Sequence, residues 1–369
     1  MAKWAVAMSG GVDSAVAAAL LAAEGHEVVG LTMNLLPDWL PEPDDAFKAC
    51  CGVSAIDDAR AVARRLGIRH YVLNLREEFE QAVIGYFVDE YARGRTPNPC
   101  IACNQSIKFS LLLDKVTALG LEGVATGHYA RVAEDPETGR RLLLRGRDPA
   151  KDQSYVLFGL TQEQLRRIRL PIGEHTKEAV RGLAREFHLS VADKPDSQEI
   201  CFVPRGTYAD VVARFRPEAL QPGPIVDTEG RRVGTHQGIA RYTVGQRRGL
   251  GVVAGSPVYV VAVDPERNTV VVGDEVALLC REMTAAGMNW IADRPTGPLQ
   301  VTARVRHAAR DVPATVRPEP GTDRAVVTFN EPQRAAAPGQ AVTLYQGERV
   351  LGGGVIVTVR TGAGVPSAV

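Results

Sequence analysis

The feature that most constrains the fold is a strand–turn–helix junction close to the start of the chain. Lys3 to Met8 is almost wholly apolar and reads as a buried strand. It runs into Ser9-Gly10-Gly11-Val12-Asp13-Ser14. Asp13 to Glu24 then reads as an alanine-rich helix closed by Gly25. Glycines at such a junction let the backbone approach a phosphate, and the unpaired N–H groups at the helix start favour its negative charge. Ser9 and Ser14 add hydroxyl donors, and Asp13 is a candidate magnesium ligand. The loop lacks the Gly-Lys-Ser/Thr ending of a Walker loop and does not match G-x-G-x-x-G. The bland alternative is a glycine-rich turn, but the position and both hydroxyls favour the phosphate.

The alternation continues from there. Glu27 to Thr32 and Ile68 to Asn74 read as strands. A helix opened by Ser54 and Asp57, in the pattern of a capping box, lies between them and ends at Gly67. Glu77 to Ala92 and Ile107 to Leu119 read as helices, and Gly123 to Thr126 as a strand. This βα rhythm predicts an α/β domain with a parallel sheet, whose ligands sit beyond the carboxyl ends of the strands. A helical stretch follows at about Thr161 to Phe187. From about Pro222 the pattern changes to short Val-rich runs with frequent turn residues: Val258 to Val263, Thr269 to Val272, Val301 to Val305, Ala325 to Phe329 and Val350 to Thr358. That predicts one or two small β-barrels. With 369 residues, two or three domains are expected. We place a catalytic domain at 1–205, its part from about 150 being helical, then a central β-rich domain at 206–280, a C-terminal barrel at 281–362 and a loose tail at 363–369.

No apolar run approaches a membrane span, and Asp13 interrupts the only stretch that resembles a signal peptide, so a cytoplasmic protein is expected. Six cysteines are too few for a disulfide scaffold and point to catalysis or metal binding. Cys100 and Cys103 lie in Thr96-Pro-Asn-Pro-Cys-Ile-Ala-Cys-Asn104, with a helix expected to begin near Ser106; a thiol near a helix N-terminus is a better nucleophile. Cys201 lies in Lys194-Pro-Asp-Ser-Gln-Glu-Ile-Cys-Phe-Val203. A closed zinc site needs about four ligands, and the sequence has no second Cys-x-x-Cys. Cys50, Cys51 and Cys280 are given no chemistry. The formal net charge is zero, which hides islands. Leu165 to Arg185 carries a net +4, and Arg231 to Arg248 holds five arginines and no acid, whereas Pro37 to Asp58 has six acids against one lysine. Basic islands beside a nucleotide site suit an RNA held through its backbone, although each arginine alone is as well explained by a solvated surface.

SGGVDS resembles the loop of ATP pyrophosphatases, which split ATP into AMP and pyrophosphate. That resemblance implies that Ala7, Met8, Ser9, Gly10, Gly11, Val12, Asp13 and Ser14 hold ATP, with Met33 near the adenine and Gly127 lining the nucleotide. Over the whole chain the similarity is more specific. SGGVDS, GLTMN, RTPNPCIACNQSIKF, ATGHYAR, KDQSYVLFGL, KPDSQEICFV, GTHQGIARYTVGQRRGLGV, PATV and PGQAVTLY with LGGG occur in order. Together they resemble the bacterial tRNA-uridine 2-sulfurtransferases, the wobble-uridine 2-thiouridylases.

The resemblance implies ATP-dependent adenylation of the uridine C2 oxygen, then sulfur transfer, giving 2-thiouridine, AMP and pyrophosphate. Cys201 would carry a persulfide supplied by a cysteine desulfurase or sulfur-relay protein. Cys103 would be the second thiol, closing a Cys103–Cys201 disulfide. Asn98, Pro99 and Cys100 would meet the target base. Lys151, Asp152, Gln153, His128, Arg304, Val305, Arg306 and Gln340 would touch the tRNA, expected to be those for Lys, Glu and Gln. Many members have Asp where Cys100 stands, and an Arg-Tyr pair where this chain has Arg304-Val305. The extra thiol opens a second route, in which Cys100, Cys103 and Cys201 ligate a [4Fe–4S] cluster whose open iron binds sulfide. The competing readings are a pyrophosphate-loop ligase adenylating a small metabolite, which leaves the cysteines unexplained, and a non-catalytic RNA-binding protein, which leaves the intact loop unexplained.

Overall fold

The structure is a computed structural model describing residues 1–40, 53–196, 200–203, 207–252, 255–306 and 309–361. Cys50, Cys51 and most of the acidic island lie outside these. The chain forms two compact units. The first comprises Met1–Ile84, Pro99–Arg205 and Glu348–Val350, and the second Gly85–Asn98, Gly206–Gly347 and Leu351–Val369.

In the first unit, β1 (Lys3–Ala7), β2 (Glu27–Asn34), β3 (Arg69–Asn74), β4 (Gly123–Ala125) and β7 (Ile168–Arg169) form one parallel sheet in the order β3-β2-β1-β4-β7. The α/β reading is correct. Helix α1 (Val12–Ala23) follows β1, and its alanines let it sink into the core: Ala15 to Ala19 are all buried, against Val6 and Met8 on one side and Val180 and Ala184 on another. Helix α2 (Val53–Leu66) places Ser54 inside its first turn rather than at its cap. β7, within the stretch read as helical, is a two-residue strand between the helices Gln162–Arg166 and Lys177–Glu186. A hairpin absent from the sequence reading, β5 (Ala130–Glu134) and β6 (Arg141–Arg145), is joined by Arg349 and Val350 opposite Leu144 and Leu143.

The helix carrying the cysteines begins earlier than expected. It starts at Pro99, continues as a π-helix over Cys103–Leu111 and ends as Leu112–Ala118. Proline is well placed at a first helical position because the N–H it lacks has no partner there.

The second unit is mostly β. A four-stranded sheet runs in the order β10 (Tyr259–Asp264), β11 (Thr269–Gly273), β8 (Gly223–Val226) and β9 (Arg232–His236). Six further strands follow: β12 (Leu279–Trp290), β13 (Leu299–Arg304), β14 (Val312–Pro318), β15 (Ala325–Arg334), β16 (Ala341–Gln346) and β17 (Arg349–Thr361). β12 pairs with both β15 and β17, which closes these strands into a barrel. Alternate residues such as Val301, Ala303, Ala314, Val316, Val327 and Phe329 fill its core.

Candidate active site

The loop at the end of β1 is held open by its own hydroxyls. The Ser9 amide donates to Ser14 Oγ (3.1 Å), the two hydroxyls are 3.3 Å apart, and Ser14 Oγ donates to the Gly11 carbonyl (3.1 Å). Gly11 caps α1 without a side-chain hydrogen bond, so the first N–H groups of the helix have no intrahelical partner. Two glycines make this arrangement possible. Gly10 has φ +66°, and a Cβ there would lie 2.3 Å from the Ala55 carbonyl oxygen. A Cβ on Gly127 would lie 2.6 Å from the Asp13 carbonyl carbon and the Ser14 nitrogen. This is a backbone cradle rich in donors, and it fits a nucleotide phosphate. Met8 and Met33 are buried, as core residues are, and Thr32 Oγ1 donates to the Met8 carbonyl (2.8 Å).

Around the loop lies a charged network that the sequence reading missed. Lys177 Nζ donates to Asp13 Oδ1 (2.8 Å) and Oδ2 (2.9 Å) and pairs with Asp196 Oδ1 (2.6 Å). Lys151 Nζ donates to Asp196 Oδ2 (2.8 Å). Tyr129 Oη donates to Asp13 Oδ1 (2.7 Å), and burial together with the Asp13 charge pushes the phenol pKa far up, so it remains a donor. Burial alone would raise the Asp196 pKa, but hydrogen bonds from Lys151 and Lys177 outweigh it and hold the carboxyl below its ordinary value. Lys194 Nζ donates to the Gly10 carbonyl (2.9 Å) and also reaches Asp58. Arg181 donates to the carbonyls of Ala192 (2.7 Å) and Lys194 (3.0 Å). The only local signal was Thr176, whose side chain caps the helix that presents Lys177 and Arg181.

This geometry argues against magnesium on Asp13, because both of its oxygens already accept from Lys177. Among the described residues, no three His, Cys, Asp or Glu side chains are gathered to hold a metal ion. Cys100, Cys103 and Cys201 are not gathered into such a group in this structure. They are thiols, Cys100 exposed and the other two half-buried. Cys100 and Cys103 stand in the first turns of the helix from Pro99. Cys280 is buried, which pushes its thiol up to about 11.

Several residues expected to touch RNA have internal partners. The Asp152 carboxylate is buried and accepts from the Gly146 and Ser154 amides (both 3.1 Å) and from Ser154 Oγ (3.0 Å). Gln153 Oε1 accepts from the Tyr129 amide (2.9 Å). The His128 ring is buried beside Phe109 and bonded to Thr126 Oγ1 (2.7 Å), and burial, with help from Lys108, holds its pKa well below the ordinary value. In the second unit, Arg304 pairs with Asp311 (2.7 Å) and lies over the Tyr345 ring (5.5 Å). Val305 is buried, and Gln340 Nε2 donates to the Thr96 carbonyl (2.8 Å). Part of the basic helical island is also used internally: Arg169 lies over Trp4 (5.3 Å) and Arg185 pairs with Asp193 (2.8 Å).

Comparison with known proteins agrees with this architecture. Residues 2–205 match the family described as tRNA methyl transferase HUP domain, 209–274 the tRNA methyl transferase PRC-barrel domain, and 280–356 the aminomethyltransferase β-barrel domain. The "tRNA-specific 2-thiouridylase MnmA" of Moorella thermoacetica is 53% identical over 356 residues, 96% of this chain and 99% of that one. The protein of the same description from Carboxydothermus hydrogenoformans is 51% identical over 356 residues, 96% of this chain and 97% of that one. A solved 4-thiouridine synthetase–RNA complex with bound ATP, at 17% identity and TM-score 0.37 over 59% of this chain and 51% of that one, is too distant to inform the site. Identity of this level across nearly the whole length shows that the chain belongs to the tRNA-specific 2-thiouridylase family, the tRNA sulfurtransferases.

Proposed function

We propose that this protein thiolates a uridine of tRNA at C2, using ATP. The observation that carries the reading is the near-full-length identity of about half to relatives named as 2-thiouridylases, on a chain that keeps the phosphate cradle and the thiols Cys103 and Cys201.

The chemistry follows from a poor electrophile. The uridine C2 oxygen attacks the α-phosphorus of ATP, and pyrophosphate leaves. The N–H groups opening α1 and the Lys177 and Lys194 ammoniums supply positive charge where the phosphate charge accumulates. The terminal sulfur of a Cys201 persulfide attacks C2. The Cys103 thiolate attacks Cys201 Sγ and breaks the persulfide bond. AMP departs with the C2 oxygen, leaving a thione and a Cys103–Cys201 disulfide. A thiol reductant then returns two electrons to restore both thiols. A cysteine desulfurase or sulfur-relay protein supplies the persulfide sulfur. Asn98, Pro99 and Cys100 face the base in this reading, and the arginines of 231–248 hold the tRNA backbone. The tRNAs are those for Lys, Glu and Gln.

Radiolabelled ATP tests the reading against its main competitor. AMP release that requires tRNA supports it, and ATP–pyrophosphate exchange without any tRNA supports the metabolite ligase. Iron and acid-labile sulfide bound stoichiometrically after anaerobic purification would replace the persulfide route with the cluster.

A further inference from the structure

The acid of the phosphate loop is neutralised from within the protein. Asp13 stands in the first turn of α1, where its negative charge competes with a phosphate for the field of the helix N–H groups. Its two oxygens lie 2.8 and 2.9 Å from Lys177 Nζ, and Asp196 Oδ1 lies 2.6 Å from the same nitrogen. Three carboxylate oxygens thus converge on one ammonium, as many as its N–H bonds can meet. The ammonium also lies 5.7 Å from the centre of the Tyr129 ring, whose hydroxyl donates to Asp13 Oδ1. The backbone behind the side chain is fixed as well. The Lys177 amide donates to Asp148 Oδ2 (2.9 Å), and the Thr176 side chain caps the helix that Lys177 opens.

A magnesium ion cannot share this position. It takes carboxylate oxygens at about 2.0–2.1 Å, so on Asp13 it would sit on the oxygens that Lys177 holds, against a like charge. We propose that Lys177 is the resident cation of the phosphate loop: its ammonium takes the place on Asp13 that a metal ion would take, and Asp13 is a positioning residue that aims Lys177 at the phosphates rather than a metal ligand. The proposal rests on the ATP-binding reading above. A phosphate oxygen can replace one carboxylate oxygen on Lys177 without loss of a hydrogen bond, while the other two keep its aim. The two roles for Asp13 differ in sign. If Asp13 only holds the lysine, its charge opposes the nucleotide, and removing that charge strengthens nucleotide binding. If Asp13 ligates the metal of a magnesium–ATP complex, removing the charge weakens it.

The test uses the full chain without tRNA. Calorimetry gives the affinity for a non-hydrolysable ATP analogue with magnesium. Electron paramagnetic resonance gives the binding of Mn2+ alone, without nucleotide. Asp13→Asn, which keeps an oxygen acceptor for Lys177, should bind the analogue at least twofold tighter; equal or weaker binding overturns the proposal. Lys177→Gln should bind the analogue at least tenfold more weakly, and a smaller loss also overturns it. At about 1 mM Mn2+, Lys177→Gln should bind one ion more than the unmodified protein, through the oxygens of Asp13 and Asp196 that the ammonium held. Adding Asp13→Asn to Lys177→Gln should abolish that gain. A merely structural loss would give no such gain, and its absence refutes the ammonium as a substitute for a metal ion. Either single variant decides if the other fails to fold. An unmodified protein that does not bind the analogue removes the ATP reading, and the Mn2+ gain still decides the role of Lys177.

Discussion

Replacing Gly127 by alanine tests how tightly the phosphate cradle is built. The new Cβ would stand 2.6 Å from the backbone of Asp13 and Ser14, whereas ordinary contact begins at 3.4 Å, so the start of α1 must retreat by 3.4 − 2.6 = 0.8 Å. A hydrogen bond of about 2.9 Å from those N–H groups to a phosphate would stretch to about 3.7 Å, beyond the bonding range. Losing one charge-assisted bond costs about 1.5–3 kcal/mol, an affinity loss of about 10- to 150-fold for ATP. Overpacking of this kind costs about 1–3 kcal/mol of stability, which for a unit of this size lowers Tm by about 2–12 °C. Calorimetric titration with the ATP analogue and thermal melting measure both. Gly182→Ala is the control. Gly182 lies in the Lys177–Glu186 helix with nothing within 4 Å of its Cβ position, so the variant should bind ATP normally and gain about 0.4–1 kcal/mol. Wild-type ATP affinity in a folded Gly127→Ala would refute the placement of phosphate at this helix start.

With its thiol pushed up to about 11 by burial, Cys280 carries about one thiolate in a thousand at pH 8 and should resist iodoacetamide under conditions that alkylate Cys100; raising the pH should speed its reaction, and rapid labelling at pH 8 would contradict the burial. Arg247→Glu with Arg248→Glu should weaken tRNA binding at least tenfold, with a shallower salt dependence, and leave ATP affinity unchanged; equal loss of both would refute the assignment. The Asp196 carboxyl is held below its ordinary value in the folded state, so it contributes stability at neutral pH that is lost as the pH falls through its lowered pKa. The Tm difference between the unmodified protein and Asp196→Asn should therefore shrink on titration from pH 7 toward pH 3, and a constant difference would show that the charge is not responsible.

The parts of the fold legible in the sequence are those whose signals are local. The apolar run Lys3 to Met8 before two glycines marks β1 and the loop, and the alternating runs after Pro222 mark the barrel. β7 was missed because two residues, Ile168 and Arg169, form it amid arginines, and its place in the sheet is set by β4 rather than by its own pattern. The helix at Pro99 was missed because prolines were read only as restraints, although proline is favoured at a first helical position. The serines and glycines of the loop stand together in the chain, so they were found. Lys177, 164 residues from Asp13, and Lys194, 184 residues from Gly10, reach the loop only through tertiary packing. No spacing in the sequence could have named them. The internal roles of Asp152 and His128 were hidden for the same reason: a buried polar side chain and an RNA-facing one look alike in a sequence.

Nucleoside mass spectrometry of unmodified tRNA for Lys, Glu or Gln tests the thiolation itself. The reaction contains the protein, ATP, magnesium and a cysteine desulfurase with cysteine as sulfur source. The unmodified protein should form 2-thiouridine, and Cys201→Ser and Cys103→Ser variants that still bind ATP should form at least a hundredfold less. Absence of 2-thiouridine with a folded, ATP-binding protein would contradict the function, and undiminished thiolation by Cys201→Ser would contradict the persulfide route.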